Sequence, residues 1–504
     1  MPKDYLNRIL NARVYDVASE SPLEPATSLS ARLDNNVLIK REDLQAVFSF
    51  KLRGAYNKML HLTDEEKERG VIAASAGNHA QGVALSAKKL GIPVTIVMPE
   101  TTPDIKVEAV GNWSPRIVLH GDAYQEAYNK SMEIAEAEEL TYVHPFDDPD
   151  VIAGQGTVGM EILRQCTDDI DAIFVPVGGG GLIAGIAAYV KAVRPEIKVI
   201  GVEPEDAASM TRSLETNERV TLEQVGIFAD GVAVAQVGAE PFRLARELVD
   251  DMVLASVDEI CAAVKDVFDD TRVIAEPAGA LAVAGLKNYV AKHNLTGKTL
   301  VAINSGANVN FDRLRHISER AEIGENRETL FAVTIPERPG SFRMFCSILG
   351  KRSVTEFNYR YSDDTDAQIF VGIKLSGGQD EKAELLERFR DGGYPVTDIS
   401  DNDTAKLHIR YMVGGRPQNL TNEVVYRFQF PERPGALLNF LDHIGERWNI
   451  SLFHYRNHGS AYGRVLCGMQ VPEADMGSFQ EFLGTLGYSH WPETENSVYK
   501  TFLS

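Results

Sequence analysis

Residues 172–190 read AIFVPVGGGGLIAGIAAYV, in which two apolar runs flank four consecutive glycines. The stretch is uncharged and close to membrane-spanning length, but Pro176 and Gly178–Gly181 interrupt it, so we do not interpret it as a membrane helix. The first run has the length of a buried strand, and the second has that of a helix. The sequence therefore predicts a buried strand, a tight loop and a helix.

The same alternation of strand and helix extends from about residue 34 to residue 310. Examples of the strand-like runs are VIAASA (71–76), VTIVMP (94–99), RIVLHG (116–121), AIFVPVG (172–178), KVIGVEP (198–204) and TLVAINSG (299–306). Amphipathic segments such as HAQGVALSAKKLG (79–91) and SMEIAEAEE (131–139) separate them. This order predicts an α/β region of parallel sheets covered on both faces, with ligands at the carboxyl ends of the strands.

An internal repeat occupies the chain beyond residue 320. VTIPERPGSFRMFCSILG (333–350) is echoed by FQFPERPGALLNFLDHIG (428–445), and FNYR (357–360) is echoed by FHYR (453–456). Later alternating strands, AQIFVGIKL (367–375) and YGRVLCGMQV (462–471), complete each copy. We therefore predict two ferredoxin-like βαββαβ modules of α+β type, joined by a linker at GGRPQNLTNE (414–423).

The bulk composition indicates a multidomain globular protein that acts on small molecules. The chain has 504 residues, of which 44% are hydrophobic and 24% charged. Its formal net charge of −21 repels polyphosphate, so we expect no nucleic-acid partner. Four scattered cysteines without C-x-x-C spacing, and the charged opening MPKDYLNRIL, predict a cytoplasmic protein without a secretory signal or membrane segment.

The glycine-rich loop is suited to binding a phosphate. It follows a strand and opens a helix, so its backbone amides point outward at a positive helix terminus. A tight structural turn is one alternative, and a dinucleotide site is another, because Gly179-x-Gly181-x-x-Ala184 fits that fingerprint and Glu203 lies near the spacing of a ribose-binding acid. The residues expected to hold the phosphate are Gly178, Gly179, Gly180, Gly181 and Leu182.

A lysine among apolar neighbours marks a second stretch, FSFKLRGA (48–55). Lys51 has two interpretations: it begins an amphipathic helix and extends its ammonium to water, or it is desolvated, loses its proton and acts as a nucleophile.

Two further loops follow strands at the same expected sheet edge. In SAGNHAQG (75–82), backbone amides could capture a carboxylate, whereas His79 is interpreted as a capping or packing residue. In NSGAN (304–308), Ser305 supplies a neutral hydroxyl. An amine, a phosphate-binding turn, a carboxylate-binding loop and a hydroxyl are the set that pyridoxal phosphate chemistry requires. The expected substrate-binding residues are Ser75, Ala76, Gly77 and Asn78.

The motifs SFKLRGA, SAGNHAQG, GGGGLIAG, EPAGA (276–280) and SGAN occur in an order that resembles the fold-type II (tryptophan synthase β-like) pyridoxal-phosphate enzymes. Among these, the chain resembles the biosynthetic threonine dehydratases along essentially its whole length. The resemblance implies a two-lobed catalytic region over residues 1–320, with a smaller lobe inserted at roughly 44–150. It also implies ACT-like regulatory modules at 329–400 and 424–495.

The same resemblance implies roles for particular residues. Lys51 would carry the cofactor and act as the catalytic base, Asn78 would bond the ring oxygen, and Ser305 would face the pyridine nitrogen. Tyr359 and Tyr455 would contact effectors, although half-buried strand aromatics are an equally good interpretation. No metal is expected, because an acid that some relatives require six residues after the position of Glu203 is replaced by a serine.

The implied activity is deamination of L-threonine to 2-oxobutanoate, or of L-serine to pyruvate, with release of ammonia. It would be the first committed step of isoleucine biosynthesis, inhibited by isoleucine, relieved by valine and carried out by a homotetramer. A β-replacement enzyme such as cysteine synthase, a non-catalytic amino-acid sensor and a dinucleotide oxidoreductase are the alternatives. The oxidoreductase would explain only the glycine-rich loop.

Overall fold

The computed structural model describes residues 2–350, 352–361, 365–407, 409–411, 417, 420–431, 436–444, 447–456 and 462–503. The chain divides into two compact units, residues 1–324 and 325–504. Half of the predicted linker at 414–423, namely residues 414–416, 418 and 419, lies outside the described residues. Within the described part of the chain, no helix combines the length and the hydropathy needed to cross a membrane.

The first unit is built from ten strands and fourteen helices, counted over its described residues. The strands are β1 (Leu23–Pro25), β2 (Asn36–Arg41), β3 (Val71–Ala74), β4 (Val94–Met98), β5 (Arg116–Leu119), β6 (Thr141–Tyr142), β7 (Ala172–Pro176), β8 (Lys198–Pro204), β9 (Asp251–Ala255) and β10 (Thr299–Asn304). The helices in its first half are α1 (Pro2–Leu10), α2 (Thr27–Leu33), α3 (Lys51–Leu60), α4 (Asp64–Arg69), α5 (Asn78–Leu90), α6 (Asp104–Gly111), α7 (Tyr124–Glu138) and α8 (Pro149–Gln165). Those in its second half are α9 (Gly181–Val193), α10 (Ser209–Thr216), α11 (Ala239–Leu248), α12 (Val257–Thr271), α13 (Pro277–His293) and α14 (Arg313–Gly324).

These strands form two separate sheets, and the part of the unit built around each sheet is called a lobe below. The larger sheet has the order β1-β2-β10-β7-β8-β9, and the smaller has the order β5-β4-β3-β6. All the pairings are parallel except that of β1 with β2, which closes one edge of the larger sheet. The six predicted strands are all present, and the predicted parallel α/β architecture is confirmed apart from this antiparallel edge.

Close helix packing fixes the position of α3 between the lobes. The Cβ of an alanine at Gly54 would lie 2.7 Å from the carbonyl oxygen of Val151 in α8, and one at Gly82 would lie 3.0 Å from the amide nitrogen of Leu52. Glycines in α3 and α5 therefore let the backbone of α3 approach both α8 and α5 closely. The first residue of α3 is Lys51, so this packing also fixes the direction of the lysine side chain.

The second unit is a single eight-stranded antiparallel sheet with helices. Its order is β14-β11-β13-β12-β16-β17-β15-β18, in which each half has the ferredoxin-like arrangement predicted from the repeat. The strands are β11 (Glu328–Pro336), β12 (Val354–Arg360), β13 (Asp366–Lys374), β14 (Val396–Asp398), β15 (Glu423–Pro431), β16 (Asn449–Arg456), β17 (Tyr462–Gln470) and β18 (His490–Pro492). The helices are α15 (Ser341–Leu349), α16 (Gly378–Asp391), α17 (Asp403–Leu407), α18 (Ala436–Ile444), α19 (Met476–Thr485) and α20 (Ser497–Phe502).

Candidate active site

Backbone hydrogen bonds hold the segment before Lys51 against the loop that follows β10. The amide of Phe50 donates to the carbonyl oxygen of Ser305 over 3.3 Å, and the amide of Ala307 donates to the carbonyl oxygen of Phe48 over 2.9 Å. Phe48 adopts a φ of 53°, which is uncommon for a non-glycine residue. Two loops more than 250 residues apart in sequence are therefore joined at the sheet edge, and they place Lys51 beside Ser305.

The amine of Lys51 has few polar neighbours. Its Nζ donates to the carbonyl oxygen of Pro145 over 3.3 Å and lies 5.3 Å from the centroid of the Phe50 ring. Burial lowers the pKa of Lys51 to about 8, while attraction to Glu276 opposes that shift. Lys51 begins a helix, as the amphipathic-helix interpretation predicted. Its amine is nevertheless desolvated, as the nucleophile interpretation required.

The glycine-rich loop, Gly178–Leu182, leaves no room for side chains. A Cβ at Gly179 would lie 2.2 Å from the ring of Phe146, and Gly180 has a φ of 92°, in the left-handed region that favours glycine. These contacts explain the glycines by packing. They also locate the loop, because Phe146 directly follows Pro145, whose carbonyl oxygen accepts from Lys51.

The amides of this loop remain available to an anion. The amide of Val177 donates to Val202, and the amide of Ala184 closes an α-helical hydrogen bond to Gly180. The first amides of a helix have no acceptor within it, so those at the start of α9 point into the space before the helix. A phosphate there would also be stabilised by the positive end of the α9 dipole.

Asn78 is the most constrained polar side chain of the site. Its Nδ2 donates to Oε1 of Glu276 over 2.6 Å, and its Oδ1 accepts from Nδ2 of Asn308 over 2.7 Å. Asn308 in turn donates to the carbonyl oxygen of Val47 over 2.8 Å. Partners on both ends of the amide fix its orientation and leave one Nδ2 hydrogen for a further acceptor.

Glu276 was missed as a site residue by the sequence analysis. It is 4% exposed and directly precedes α13, with its amide donating to the carbonyl oxygen of Gly306 over 3.1 Å. Burial raises the pKa of Glu276 to about 7, and Asp230 adds to the shift, while the hydrogen bond from Asn78 opposes it. The only signal for Glu276 in the sequence is the EPAGA motif (276–280), which belongs to the family resemblance.

The loop after β3 supplies a second set of helix-terminal amides. Gly77 precedes α5 with no side-chain cap, and its amide donates to Oγ of Ser75 over 3.3 Å. Ala76 and Asn78 complete the four predicted substrate-binding positions, all of them partly exposed. A substrate carboxylate would meet the unpaired amides at the start of α5.

His79 is a packing residue, as the sequence analysis expected. Its Nε2 lies 2.8 Å from the carbonyl oxygen of Val143, and burial lowers the pKa of His79 to about 3, with a further contribution from Lys51. The ring is therefore neutral at physiological pH and fixed by a backbone contact.

Ser305 lies at the end of β10 and is 4% exposed. Its hydroxyl donates to the carbonyl oxygen of Ala278 over 3.3 Å, so it is held by the first turn of α13. Directly before it, both polar atoms of the buried Asn304 side chain lack a hydrogen-bond partner among the described residues. Ser305 thus offers a neutral hydroxyl rather than a charged group at this edge.

Glu203 is unavailable to a dinucleotide ribose. Its carboxylate is fully buried and accepts from the amides of Met210 and Thr211 over 2.7 and 2.8 Å. Burial raises the pKa of Glu203 to about 7. The side chain caps the start of α10, which disfavours the dinucleotide alternative. In the described part of the chain, no group of three or more acids, histidines or cysteines has a metal-binding arrangement.

In the second unit, Tyr359 and Tyr455 lie on the same face of neighbouring strands. Tyr359 pairs with Phe453 in the register of β12 and β16, and Tyr455 pairs with Phe357. Both tyrosines are buried, and the hydroxyl of Tyr359 donates to the carboxylate of Glu337. The structure thus places them in matching core positions. Their predicted role in binding effectors stays a prediction.

The residues of the first unit fit pyridoxal phosphate. The Lys51 amine contacts Pro145 and the glycine-rich loop packs against Phe146, so the amine and the loop contact adjacent residues. Asn78 and Ser305 complete a donor set suited to a phosphorylated pyridine aldehyde. The cofactor would be held by Lys51, Asn78, Gly178, Gly179, Gly180, Gly181, Leu182 and Ser305.

Comparison with known families agrees with this geometry. Residues 14–306 match the family described as "Pyridoxal-phosphate dependent enzyme". Residues 319–409 and 414–503 match the family described as "C-terminal regulatory domain of Threonine dehydratase". The fold and the site thus define a pyridoxal-phosphate-dependent enzyme with a regulatory region.

Individual relatives are similar over nearly the whole chain. A biosynthetic L-threonine dehydratase of Burkholderia multivorans is 56% identical over 99% of this chain and 99% of that protein. The protein of that name from Escherichia coli is 54% identical over 99% of this chain and 97% of that protein. The structure of the processed form of threonine deaminase isoform 2 from Solanum lycopersicum is 54% identical, with a TM-score of 0.63, and covers 64% of this chain and 93% of that chain. The chain therefore belongs to the threonine dehydratase family, and the predicted cofactor and enzyme class are confirmed.

Proposed function

We propose that this chain deaminates L-threonine to 2-oxobutanoate and ammonia, and L-serine to pyruvate and ammonia, by eliminating water from the amino acid. The observation that carries the proposal is the position of Lys51. Its amine is desolvated, has a pKa near 8, and is joined through Pro145 and Phe146 to a loop of phosphate-binding amides. The names of the relatives support the choice of threonine as substrate.

The bound cofactor supplies an aldehyde that links covalently to amines and a ring that withdraws electrons from the substrate α-carbon. Lys51 would hold the cofactor through its amine until a substrate amine takes that place. Once released, the lysine amine is positioned to take the α-proton, and a pKa near neutrality lets it alternate between base and acid. Loss of the β-hydroxyl and hydrolysis then give the 2-oxo acid and ammonia.

Asn78 and the loop Ser75–Gly77 orient the reactants. Glu276 and Asn308 fix the Asn78 amide, and the remaining Nδ2 hydrogen is free to donate to the cofactor ring oxygen. The substrate carboxylate binds the amides that precede and open α5.

Ser305 accounts for the choice of elimination. A hydroxyl cannot stabilise a positively charged pyridine nitrogen as a carboxylate would, so the ring is a weaker electron sink. With such a ring, removal of the α-proton would be followed by loss of the β-hydroxyl rather than by return of a proton to the α-carbon. Ala76 agrees with this role, because an alanine cannot return a proton to the opposite face of the α-carbon.

Product analysis tests this function against its rivals. The purified protein is expected to form 2-oxobutanoate and ammonia in equal amounts from L-threonine, without a thiol. Formation of a new thioether with an added thiol, and no ammonia release, would favour a β-replacement enzyme. A protein that binds threonine without forming either product would be an amino-acid sensor.

The regulatory proposal is inhibition by isoleucine, opposed by valine, and it is supported by a small pocket between the two halves of the second unit. Its apolar lining consists of Phe342, Leu441, Trp448 and Ile450, and its volume of about 10 Å³ has room for one water, so a branched side chain would enter only if these residues moved apart. Arg338 and the backbone at Gly340, at the start of α15, suit a carboxylate. The buried Nε1 of Trp448 has no acceptor among the described residues.

Tyr359 is linked to the same pocket. Its hydroxyl donates to Glu337, and Glu337 also accepts from Nδ2 of Asn449 over 2.8 Å. Asn449 lines the pocket. The second PERPG turn lies largely outside the described residues, so Tyr455 and its surroundings stay a prediction.

Removing the second unit tests the regulatory role. A chain ending after Gly324 is expected to keep threonine deamination and to lose inhibition by isoleucine. Retained inhibition would place the effector site in the first unit. A homotetramer and a cytoplasmic location are further proposals. Light scattering of the full chain and subcellular fractionation would test them.

A further inference from the structure

An ion pair spans the cleft between the two lobes, where both lobes contribute residues to the candidate site. Lys106 belongs to α6, which connects β4 to β5 of the smaller sheet along the chain. The Nζ of Lys106 is 2.6 Å from Oδ2 of Asp230. Asp230 opens the short turn Asp230–Val232 in the larger lobe. The two side chains are 19% and 34% exposed, so the pair is reached by solvent.

The turn that carries Asp230 also covers the candidate site. A Cβ at Gly231 would lie 3.5 Å from Oε1 of Glu276 and 3.8 Å from Nδ2 of Asn78. On its other side, the Cα of Val232 would lie 2.9 Å from a Cβ placed at Gly178. One short turn therefore touches both the Asn78 network and the phosphate-binding loop.

Asp230 is anchored to its own lobe by a separate contact. Its Oδ1 lies 3.4 Å from Nη1 of Arg313, and that nitrogen donates to the carbonyl oxygen of Phe228 over 2.9 Å. The turn is thus attached to the larger lobe by a contact that does not involve Lys106. Lys106 is the part of this arrangement that the smaller lobe contributes.

We propose that Lys106 is a positioning residue that latches the smaller lobe over the bound substrate by its ion pair with Asp230. The ion pair does not contact the reacting groups themselves. It holds α6 against the turn that covers Asn78 and Gly178. Closing the cleft excludes water and strengthens the polar contacts inside it. The kinetic part of this inference rests on the proposed function, and the structural part does not.

A rival explanation is purely electrostatic. Lys106 and Asp230 carry opposite charges, and both act on the Glu276 carboxylate, so removal of one would perturb Glu276 in the opposite sense to removal of the other. If the ion pair acts as a latch, loss of either partner opens the cleft, and both variants are expected to change KM in the same direction.

The test uses the holoenzyme and the variants Lys106→Met, Lys106→Arg and Asp230→Asn. Lys106→Met is expected to raise KM for threonine by roughly three- to ten-fold, because solvent-exposed pairs make modest contributions. Lys106→Arg is expected to restore most of the loss. Hydrogen exchange over residues 104–111 is expected to be faster in Lys106→Met than in the wild type or in Lys106→Arg.

The double variant and a matched lysine complete the experiment. Asp230→Asn is expected to raise KM as well, and adding Lys106→Met to it is expected to change little, because the pair is already broken. Lys130 pairs with Glu133 within α7 of the same lobe, so Lys130→Met is expected to leave KM and exchange unchanged. Opposite effects of Lys106→Met and Asp230→Asn on KM, or unchanged exchange in Lys106→Met, would overturn the latch. A wild type that does not deaminate threonine would instead refute the proposed function, and the exchange comparison would still decide the latch.

Discussion

Lys51 and Arg53 stand two residues apart in one helical turn, yet their surroundings are opposite. Arg53 is fully buried and forms paired hydrogen bonds with both Glu42 and Glu161. Burial alone would lower the pKa of Arg53, but Glu42 and Glu161 outweigh that effect and hold it above the ordinary value. For Lys51 the balance is reversed, because Glu276 offsets only part of the burial.

The difference separates a structural cation from a reactive one. All five N–H groups of Arg53 have acceptors, including Oγ1 of Thr157 and the carbonyl oxygen of Ser19, so its charge is permanent and its position is fixed. The amine of Lys51 donates to one carbonyl oxygen and is close to losing its proton at neutral pH. Within one motif, an incomplete set of partners indicates chemistry, and a complete set indicates architecture.

Loss of the Lys51 amine is expected to have the largest effect. Lys51→Ala should lower turnover by about four orders of magnitude, since the covalent attachment and the proton transfer both depend on it. Borohydride reduction followed by mass spectrometry should find the cofactor on Lys51 in the wild type and on no residue of the variant. Lys58→Ala, in the same helix, should keep both the adduct and the activity. An adduct at a different residue would contradict the assignment.

Removal of the paired cation is expected to damage folding instead. Arg53→Met leaves two buried carboxylates with fewer partners and should lower the free energy of unfolding by about 3–5 kcal/mol. Urea denaturation measures this, and Arg13→Met provides the control, because Arg13 pairs with Asp16 at the surface. A change below about 1 kcal/mol would mean that the cluster contributes little to stability.

The pH dependence of the stability of the cofactor-free protein further separates Lys51 from Arg53. A Lys51 pKa near 8 when folded, against about 10.5 when unfolded, means that folding is penalised while the lysine is charged in both states. Lys51→Met should therefore be more stable than the wild type by about 3 kcal/mol below pH 8. That advantage should disappear as the pH rises from 8 to 10.5, because the wild type gains stability over this range. Equal stabilities at pH 7 would contradict it.

The smallest effect is expected from a substitution that keeps the charge. Arg53→Lys retains a cation between Glu42 and Glu161 but loses the planar fork, so it should cost about 1–2 kcal/mol in the free energy of unfolding. The same denaturation series measures it beside Arg53→Met. If the two variants were equally destabilised, the loss of hydrogen-bond geometry would account for the whole effect.

Local patterns in the sequence were sufficient for much of the fold. The strand–glycine–helix stretch at 172–190 became β7 and α9, because chain direction, turn and helix are all set by adjacent residues. The repeat likewise indicated both ferredoxin-like halves. The antiparallel strand β1 was not predicted, since three residues with no alternating pattern carry little signal.

The sequence predicted a residue of the site only where that residue lies in a distinctive motif. Lys51, the glycine-rich loop and Ser305 each stand in a short, distinctive stretch. Glu276 and Asn308 were missed because their importance comes from Asn78, which lies about 200 residues or more away in sequence. Lys106 and Asp230 are surface charges of an ordinary kind, and only the folded chain shows that they meet across the cleft.

The pairing of β12 with β16 has a consequence for any shortened version of this chain. These strands join the two repeats into one continuous sheet, so neither repeat presents that edge to solvent. A chain cut between the repeats would expose the full length of β12, with its backbone donors and acceptors open to any other strand. Such a fragment would be prone to self-association. Each repeat therefore also protects the edge strand of the other repeat from pairing with a second molecule.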